Sequence, residues 1–449
     1  MRKLIAFALS QRLLAAVLAL VLIGLGINAF LNLPVDAFPD ISPTQVKIIL
    51  KAPGMTPEEV ESQVIAPLEM ELLGIPRQAM LRSTAKYAIA DLTIDFAPGT
   101  DVYWARQQTA ERLSNALGAL PAGVSGGLSP ISTPLSDVYM FTIEGEGLTL
   151  EQKRTLLDWT IRPALRGLPG VADVNVLGGR ARTLEVSPDP AALAASGLTS
   201  QALIDAIPAS NRNDGSGRLS EGEEALVVRV AGAITSLDDL RDTVVPLPGG
   251  GTARLGDLAE VQEGALTRYG AVTQNGEAEA AEAIVIALRG ADAKAVVRSV
   301  EARLKEIEPS LPKGVKVSPF YNRSDLIERA TGTVNKALVE ATVLVVILLL
   351  LFLGDLRAAA VVAVTLPLAA LTTFLLMRAF GLSANLMSLG GLAIAIGMLV
   401  DAAVVVVENV ESQLADAQEN LPTLHLIFRA AREVAAPVTS GIVIIILVF

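Results

Sequence analysis

Residues 386–407 read LMSLGGLAIAIGMLVDAAVVVV and contain a single charged residue, Asp401. An apolar run of about 20 residues is long enough to cross the hydrocarbon core of a bilayer as an α-helix. A charged side chain at the centre of such a helix costs about 2.5–3.5 kcal/mol on insertion scales, so Asp401 requires a functional or a packing reason. The stretch therefore predicts a membrane protein with a carboxyl group inside one of its spans.

Other apolar segments extend this pattern on both sides. The run after Arg12 is too long for the core of a signal peptide and no small-residue cleavage site follows it, so we predict an uncleaved anchor. The last run has no polar flank at its end, and we expect the chain to be a fragment that stops within its fifth span. The predicted membrane segments are 1–30 (cytoplasmic N-terminus and first span), 334–354, 358–378, 386–408, a cytoplasmic amphipathic segment at 409–435, and the start of a fifth span at 436–449.

Basic residues beside the spans set the predicted orientation, because cytoplasmic flanks carry an excess of Lys and Arg. Those assigned to the cytoplasmic side are Arg2, Lys3, Arg12, Arg357, Arg429 and Arg432. Arg378 is an exception to this rule. Residues 31–333 are thus predicted to form one large domain outside the cytoplasm.

This large domain has the pattern of repeated strand–helix–strand units. Thr56 and Glu59 form a capping box, and another helix is predicted to open at Asp292. Three similar phrases each indicate a helix stop that leads into a strand: LPAGV at 120–124, LPGV at 168–171 and LPKGV at 311–315. We predict a membrane protein of α-helices with an α+β periplasmic domain, which contains ferredoxin-like βαβ subdomains. Residues 181–262 have more Gly and Asp and are interpreted as an inserted module.

Composition excludes several functions. The sequence has no cysteine and one histidine, His425, which excludes thiol catalysis, zinc–thiolate sites and multi-histidine metal sites. The formal net charge of −11 argues against nucleic acid as a partner. No Gly-x-Ser-x-Gly motif, P-loop or histidine dyad occurs, and the glycines at 249–251 indicate a hairpin turn. We expect neither enzymatic activity nor a cofactor, and carboxylates, methionines or backbone carbonyls would handle any metal.

Two carboxylates are the candidate functional residues. Asp401 is interpreted as a proton carrier, because removal from water disfavours the charged form; a packing role is the alternative. Glu408 lies on the same helix face about 10.5 Å further along the axis. A charge that reaches the membrane surface is an equal alternative for Glu408. Small residues nearby would let another helix approach: Gly390, Gly391, Gly397, Ala402 and Ala403. Glu340, Asp355 and His425 are interpreted as boundary or surface residues.

Several motifs together resemble the resistance–nodulation–division (RND) transporters, and in particular their heavy-metal efflux branch, the copper–silver and cobalt–zinc–cadmium exporters. The motifs are PVDAFPD at 34–40, APGMTPEEVE at 52–61, GTDVYWAR at 99–106, NLMSLGG at 385–391, VDAA at 400–403 and VEN at 407–409. The resemblance covers essentially the whole chain.

The resemblance implies an inner-membrane proton antiporter that works as a homotrimer. Its partners would be a periplasmic adaptor (membrane fusion protein) and an outer-membrane channel. The family chain has twelve spans in two similar halves, and this sequence would be the first half. Pore subdomains would occupy residues 31–180 and 263–333, with a docking subdomain at 181–262 between them. Asp401 matches the family's proton-relay aspartate, and Glu408 matches a motif glutamate.

The resemblance identifies the substrate less directly than the family. Multidrug exporters of the family resemble one another in two adjacent aspartates, whereas Ala402 follows Asp401 here, and the sequence is only 4% aromatic. Both features favour a metal cation. Residues 395–397 read AIG, similar to the copper–silver pattern. Met387 and Met398 are possible substrate-path residues, since thioethers bind soft ions. Leu399, Val406 and Thr267 depart from the methionine ladder of the copper exporters, so the metal stays undecided.

The metal ligands themselves are expected in the second half of the family chain. Three other functions remain open. They are export of organic solutes, drugs or lipids by the same fold, a membrane scaffold without transport, and a truncated product without activity.

Overall fold

The computed structural model describes residues 2–36, 38–221, 224–353, 356–415 and 422–448. The chain begins with two helices, α1 (Arg2–Ser10) and α2 (Arg12–Asn32). A first α+β unit follows. Its elements are β1 (Gln45–Lys51), α3 (Pro57–Val60), a π-helical turn (Glu61–Ile65), α4 (Ala66–Leu72), β2 (Gln78–Lys86), β3 (Ile89–Phe96), α5 (Val102–Leu117) and β4 (Ser125–Leu128).

The next part of the chain holds the start of a second α+β unit and a long insertion. The second unit starts with β5 (Asp137–Glu144), α6 (Leu150–Leu156), a π-helical turn (Leu157–Ile161), α7 (Arg162–Arg166) and β6 (Val171–Gly178). The inserted module consists of β7 (Arg182–Pro188), α8 (Pro190–Ser196), α9 (Ser200–Ser210), β8 (Asp214–Glu221), β9 (Glu224–Val230), α10 (Leu237–Arg241), β10 (Val244–Pro246), β11 (Thr252–Arg254), α11 (Leu255–Leu258) and β12 (Ala259–Ala265).

The chain then returns to the second unit before it enters the apolar helices. The second unit is completed by β13 (Val272–Gln274), β14 (Ala278–Ala287), α12 (Ala293–Ile307), a 3-10 turn (Glu308–Ser310) and β15 (Lys316–Asn322). The last four helices are α13 (Arg323–Leu353), α14 (Leu356–Ala379), α15 (Leu386–Ala415) and α16 (Thr423–Val448).

Both units have the ferredoxin-like topology that the sequence predicts. In the first unit the antiparallel strand order is β2-β3-β1-β4, with the helices connecting β1 to β2 and β3 to β4. In the second unit β14 lies between β5 and β6, and β15 pairs with the other edge of β5. This is the same order, with β5, β6, β14 and β15 in the four positions. The inserted module replaces the short hairpin that joins β2 to β3 in the first unit.

The three Pro-Gly phrases end helical segments as predicted. Gly123, Gly170 and Gly314 have φ values of 91°, 82° and 87°. Each is the third residue of a turn closed by a backbone hydrogen bond from the valine that follows it. A positive φ at this position is what a type II turn requires, and glycine adopts it without strain. The glycines at 249–251 likewise join β10 to β11 as a hairpin.

A proline explains an unpredicted feature of each unit, the π-helical turn in its first helix. The amide of Ala66 donates to the carbonyl of Glu61, and that of Arg162 donates to the carbonyl of Leu157, which are bonds over five residues. The next residues, Pro67 and Pro163, have no N–H group and cannot make the ordinary helical bond. The helix therefore widens for one turn and continues.

Gly178 provides a test of the close approach between β6 and β14 in the second unit. Its φ is 66°, and a Cβ atom added there would lie 2.3 Å from the carbonyl oxygen of Ala280. Gly147 is a matched control, because its φ is 80° and nothing lies within 4 Å of its added Cβ. We expect Gly147→Ala to cost about 1–2 kcal/mol from backbone strain alone. Gly178→Ala adds a clash of at least about 1–3 kcal/mol.

The measurement is the apparent Tm of the purified full-length protein with each substitution. Gly178→Ala is expected to lower the Tm clearly more than Gly147→Ala. Equal shifts would contradict the close approach of β14 to Gly178.

Four helices are long and apolar enough to cross a membrane, counted over the described ranges: Arg12–Asn32, Ala358–Ala379, Leu386–Ala415 and Thr423–Leu447. Two helices extend beyond the membrane segments predicted from the sequence. The α15 helix continues past residue 408 to Ala415, and α16 begins at Thr423 rather than near residue 436. Pro437 therefore lies inside α16, a position that membrane helices tolerate when neighbouring groups bond the freed carbonyl. The predicted turn at 354–355 and residues 416–421 of the predicted amphipathic segment lie outside the described residues.

Candidate functional site

A side-chain cap fixes the start of the helix that carries Asp401. The Oδ1 atom of Asn385 accepts a hydrogen bond from the amide of Ser388 at 3.0 Å, and the Oγ atom of Ser388 accepts one from the amide of Asn385 at 2.9 Å. This reciprocal pair satisfies donors at the helix N-terminus that would otherwise lack partners. The cap sets where α15 begins and therefore which residues lie on each of its faces.

One face of α15 packs against α14. Leu389, Leu392 and Ile396 are buried in a cluster that includes residues of α14. Further along, Ala403 packs against a pair of buried residues of α14. At the far end, the Nδ2 atom of Asn409 donates to the carbonyl of Ala430 in α16 at 2.9 Å. These contacts determine the rotation of α15 about its own axis.

The predicted site residues lie together on another face of α15. Met387, Asp401 and Glu408 are exposed, and Met398 is partly exposed. The exposed residues Met387, Ile394, Asp401 and Glu408 recur at intervals of seven. Gly391, Met398 and Val405 lie between them, so the spacing alternates between four and three, as in the seam between packed helices. Within the described ranges, no side chain makes an ion pair or hydrogen bond with Asp401 or Glu408.

Two methionines, one in α14 and one in α15, differ in their surroundings. Met377 is 7% exposed and packs in the cluster between α14 and α15, whereas Met398 reaches the open face. Met377 is therefore a packing residue.

Arg378, the exception to the charge rule, donates from Nη1 to Oδ1 of Asn28 in α2 at 2.7 Å. That hydrogen bond gives Arg378 a local reason for its position at the end of α14.

Sequence reasoning missed one carboxyl group, Glu282 in β14. Alternate residues of β14, including Ala283 and Val285, enter the core, so Glu282 lies on the opposite face of the sheet. Its neighbour in β5 is Thr142. Burial raises the pKa of the Glu282 carboxyl. The signal available in the sequence was the second of two acidic residues in the otherwise apolar strand AEAAEAIVIA, at its middle rather than near its start.

A metal site is not assembled by the described part of the chain. Among the residues that the structure describes, no group of three or more His, Cys, Asp or Glu side chains could hold a metal ion. The open face of α15 offers two carboxylates and two thioethers spread along the helix. Spread along the helix in this way, the four side chains do not enclose an ion.

These features define a class: a membrane protein in which two ferredoxin-like units are joined to long apolar helices, one of which carries a carboxyl at its middle. Residues 4–449 match the model of the AcrB/AcrD/AcrF family, and the chain belongs to that family. The resemblance to the heavy-metal branch of the RND transporters is confirmed by the relatives below.

The chain is 38% identical over 463 residues to the cation efflux system protein CzcA of Alcaligenes sp. (strain CT14), with 100% of this chain and 43% of that one covered. It is 36% identical over 418 residues to the cation efflux system protein CusA of Escherichia coli (strain K12), with 92% and 40% covered. The crystal structure of a heavy metal efflux pump superposes with a TM-score of 0.85 at 33% identity, with 99% and 44% covered. The chain spans less than half the length of these proteins.

Proposed function

We propose that this chain is part of an inner-membrane permease that exports heavy-metal cations in exchange for protons. The observation that carries the proposal is the position of Asp401, a carboxyl in the middle of a membrane helix on a face that the described helices leave open. The names of the relatives support a metal cation as the substrate. The protein is proposed to be a transporter and not an enzyme.

The proposed assembly follows the family. Three copies would form the permease, and the α+β region between α2 and α13 would lie in the periplasm. There a periplasmic adaptor and an outer-membrane channel would complete an envelope-spanning pump. The basic residues that flank the helices support this orientation. The inserted module would be the docking subdomain.

In the proposed mechanism Asp401 alternates between a charged and a neutral state. When charged, the carboxylate favours water or a cationic neighbour, and when protonated it tolerates an apolar one. A proton that arrives from the periplasm would therefore change which packing of α15 is preferred. Glu408, two turns nearer the proposed cytoplasmic end, would release or receive the proton. Met387 and Met398 would border the substrate path.

The proposal is tested by expressing the full-length gene in a metal-sensitive host. Growth is scored across zinc, cobalt, nickel, copper and silver salts, with the adaptor and the channel present. We expect resistance to one or two of these ions. No resistance to any of them, with the protein shown to be in the membrane, would contradict metal export and leave organic solutes or a scaffold role.

Methionine substitutions then identify the ion class. Because thioethers bind soft cations, Met387→Leu is expected to lower resistance to copper or silver, if those are the exported ions, and to leave resistance to zinc, cobalt or nickel unchanged. Met377→Leu is the matched control, since Met377 is buried between helices. If copper or silver is the exported ion, equal effects of the two substitutions on that resistance would contradict a substrate path along Met387.

A further inference from the structure

The segment that follows α2 lies between the membrane helices and the second unit. We call residues 34–36 and 38–43 the strap. Val35 pairs with Ala384 in a parallel β-bridge. The amide of Asp36 donates to the carbonyl of Ala384 at 2.9 Å, and the amide of Ala384 donates to the carbonyl of Pro34 at 3.0 Å. Ala384 directly precedes Asn385, the cap of α15. The strap is therefore bonded to the start of the helix that carries Asp401.

Asp36 of the strap also contacts the second unit, through its side chain. The Nε and Nη2 atoms of Arg323 lie 2.8 and 2.7 Å from Oδ1 of Asp36. The side chain of Arg323 is only 4% exposed, and its Nη1 atom donates to the carbonyl of Leu135 at the entrance to β5. Arg323 is the first residue of α13. The ion pair therefore lies where the first strand of the second unit begins and where its last strand continues into α13.

A second carboxyl lies near the same guanidinium. Burial raises the pKa of Asp137, and the charge of Arg323 lowers it. Arg323 thus contacts both the strap and the second unit. Removal of the Asp36 carboxylate would leave the Arg323 guanidinium with neighbours at the start of the second unit alone, Leu135 and Asp137.

Arg289 binds the C-terminal end of the strap. Its Nε atom lies 3.3 Å from Oδ2 of Asp40, and its Nη1 atom donates to the carbonyl of Pro43 at 3.1 Å. It also donates to the carbonyl of Ser42. Since two of these three contacts are to backbone carbonyls, loss of the Asp40 carboxylate leaves this end attached. Asp40 is therefore a matched control for Asp36.

We infer that Asp36 and Arg323 couple the Asp401 helix to the second unit, so that a change in α15 moves β5 and its neighbours. Asp36 contacts the α15 turn through its amide and Arg323 through its carboxylate. Asp36 is thus the polar part of the connection, beside Val35, which packs against both the core of the second unit and the cluster between α14 and α15. Both are positioning residues, because neither touches the proposed proton carrier. The inference rests on the proposed function and deepens it by naming the contact through which a proton would act.

Hydrogen exchange of the purified full-length protein tests the coupling without any metal. Asp401→Asn imitates the neutral carboxyl and is compared with the wild type. We expect it to change exchange by about threefold or more both at residues 383–390 and at residues 135–144. In the Asp36→Ala background the change at 383–390 persists and that at 135–144 disappears. In the Asp40→Ala background both persist.

Two outcomes would overturn the inference. One is that Asp401→Asn leaves residues 135–144 unchanged, and the other is that its effect there survives Asp36→Ala. If Asp36→Ala does not accumulate as folded protein, Arg323→Lys replaces it. That variant keeps the charge but loses the fork that bonds Asp36 and Leu135 together. The same two outcomes then decide the question.

Transport supplies the second measurement. In everted membrane vesicles with an imposed pH gradient, uptake of Zn²⁺ or Ag⁺ is expected to fall at least about tenfold with Asp36→Ala and to stay within about twofold with Asp40→Ala. Uptake equal to wild type with Asp36→Ala would overturn the inference. If the wild type moves neither ion, the assay is repeated with Co²⁺, Ni²⁺ and Cu⁺. Movement of none of the five ions contradicts the proposed function, and hydrogen exchange alone then decides the coupling.

Discussion

Asp401→Asn is expected to abolish metal resistance in cells that carry the full-length gene and to reduce growth to that of cells without it. Asparagine has nearly the same shape as aspartate but cannot lose a proton near neutral pH. The face of α15 that carries residue 401 would therefore be held in one charge state, and proton exchange could not drive transport. Assembly should be intact, because the buried contacts of α15 with α14 lie on another face.

The measurement pairs growth on the identified metal with the amount and oligomeric state of the purified protein. Val405→Ala is a matched control, since Val405 is on the same face one turn away and has no ionisable group. Full resistance with Asp401→Asn would contradict the proton role and favour a packing residue. Loss of both resistance and folded protein would also contradict it, because the substitution is then structural.

Gly26→Leu is expected to prevent accumulation of folded protein. A Cβ atom added at Gly26 would lie 2.6 Å from Cβ and 2.9 Å from the carbonyl oxygen of Leu371, so α2 and α14 approach through this glycine. Small residues at such crossings let helix backbones come close in a membrane. Overpacking a core costs about 1–3 kcal/mol in ordinary cases. A leucine placed against backbone should exceed that range and separate the two helices.

Gly24→Leu is the control in the same helix. Gly24 is exposed and nothing lies within 4 Å of its added Cβ. We expect its yield and apparent Tm in detergent to match the wild type. The measurement is size-exclusion chromatography of membrane extracts from cells with equal expression. Similar yields for the two variants would contradict the close packing of α2 against α14.

Local patterns were enough for much of the fold. The helix stops at Gly123, Gly170 and Gly314 follow from the chemistry of Pro and Gly, which acts within four residues. The apolar length of residues 386–407 predicts a membrane helix whatever surrounds it. The ferredoxin-like units were predicted because each strand and helix carries its own pattern. The ends of the helices were harder to predict. The α16 helix begins well before its apolar run, because helix continuity does not depend on hydropathy.

Sequence patterns alone were enough to predict the membrane class, the two α+β units and Asp401 as the principal charged residue. The tertiary structure was needed to find which face of α15 is open, which methionine packs and which borders that face, and why Arg378 breaks the charge rule. It also decided the meeting of Asp36 with Arg323, which are 287 positions apart. Hydrophobic periodicity and turn chemistry act between near neighbours. Contacts of this kind depend on how distant elements pack, which no local pattern encodes.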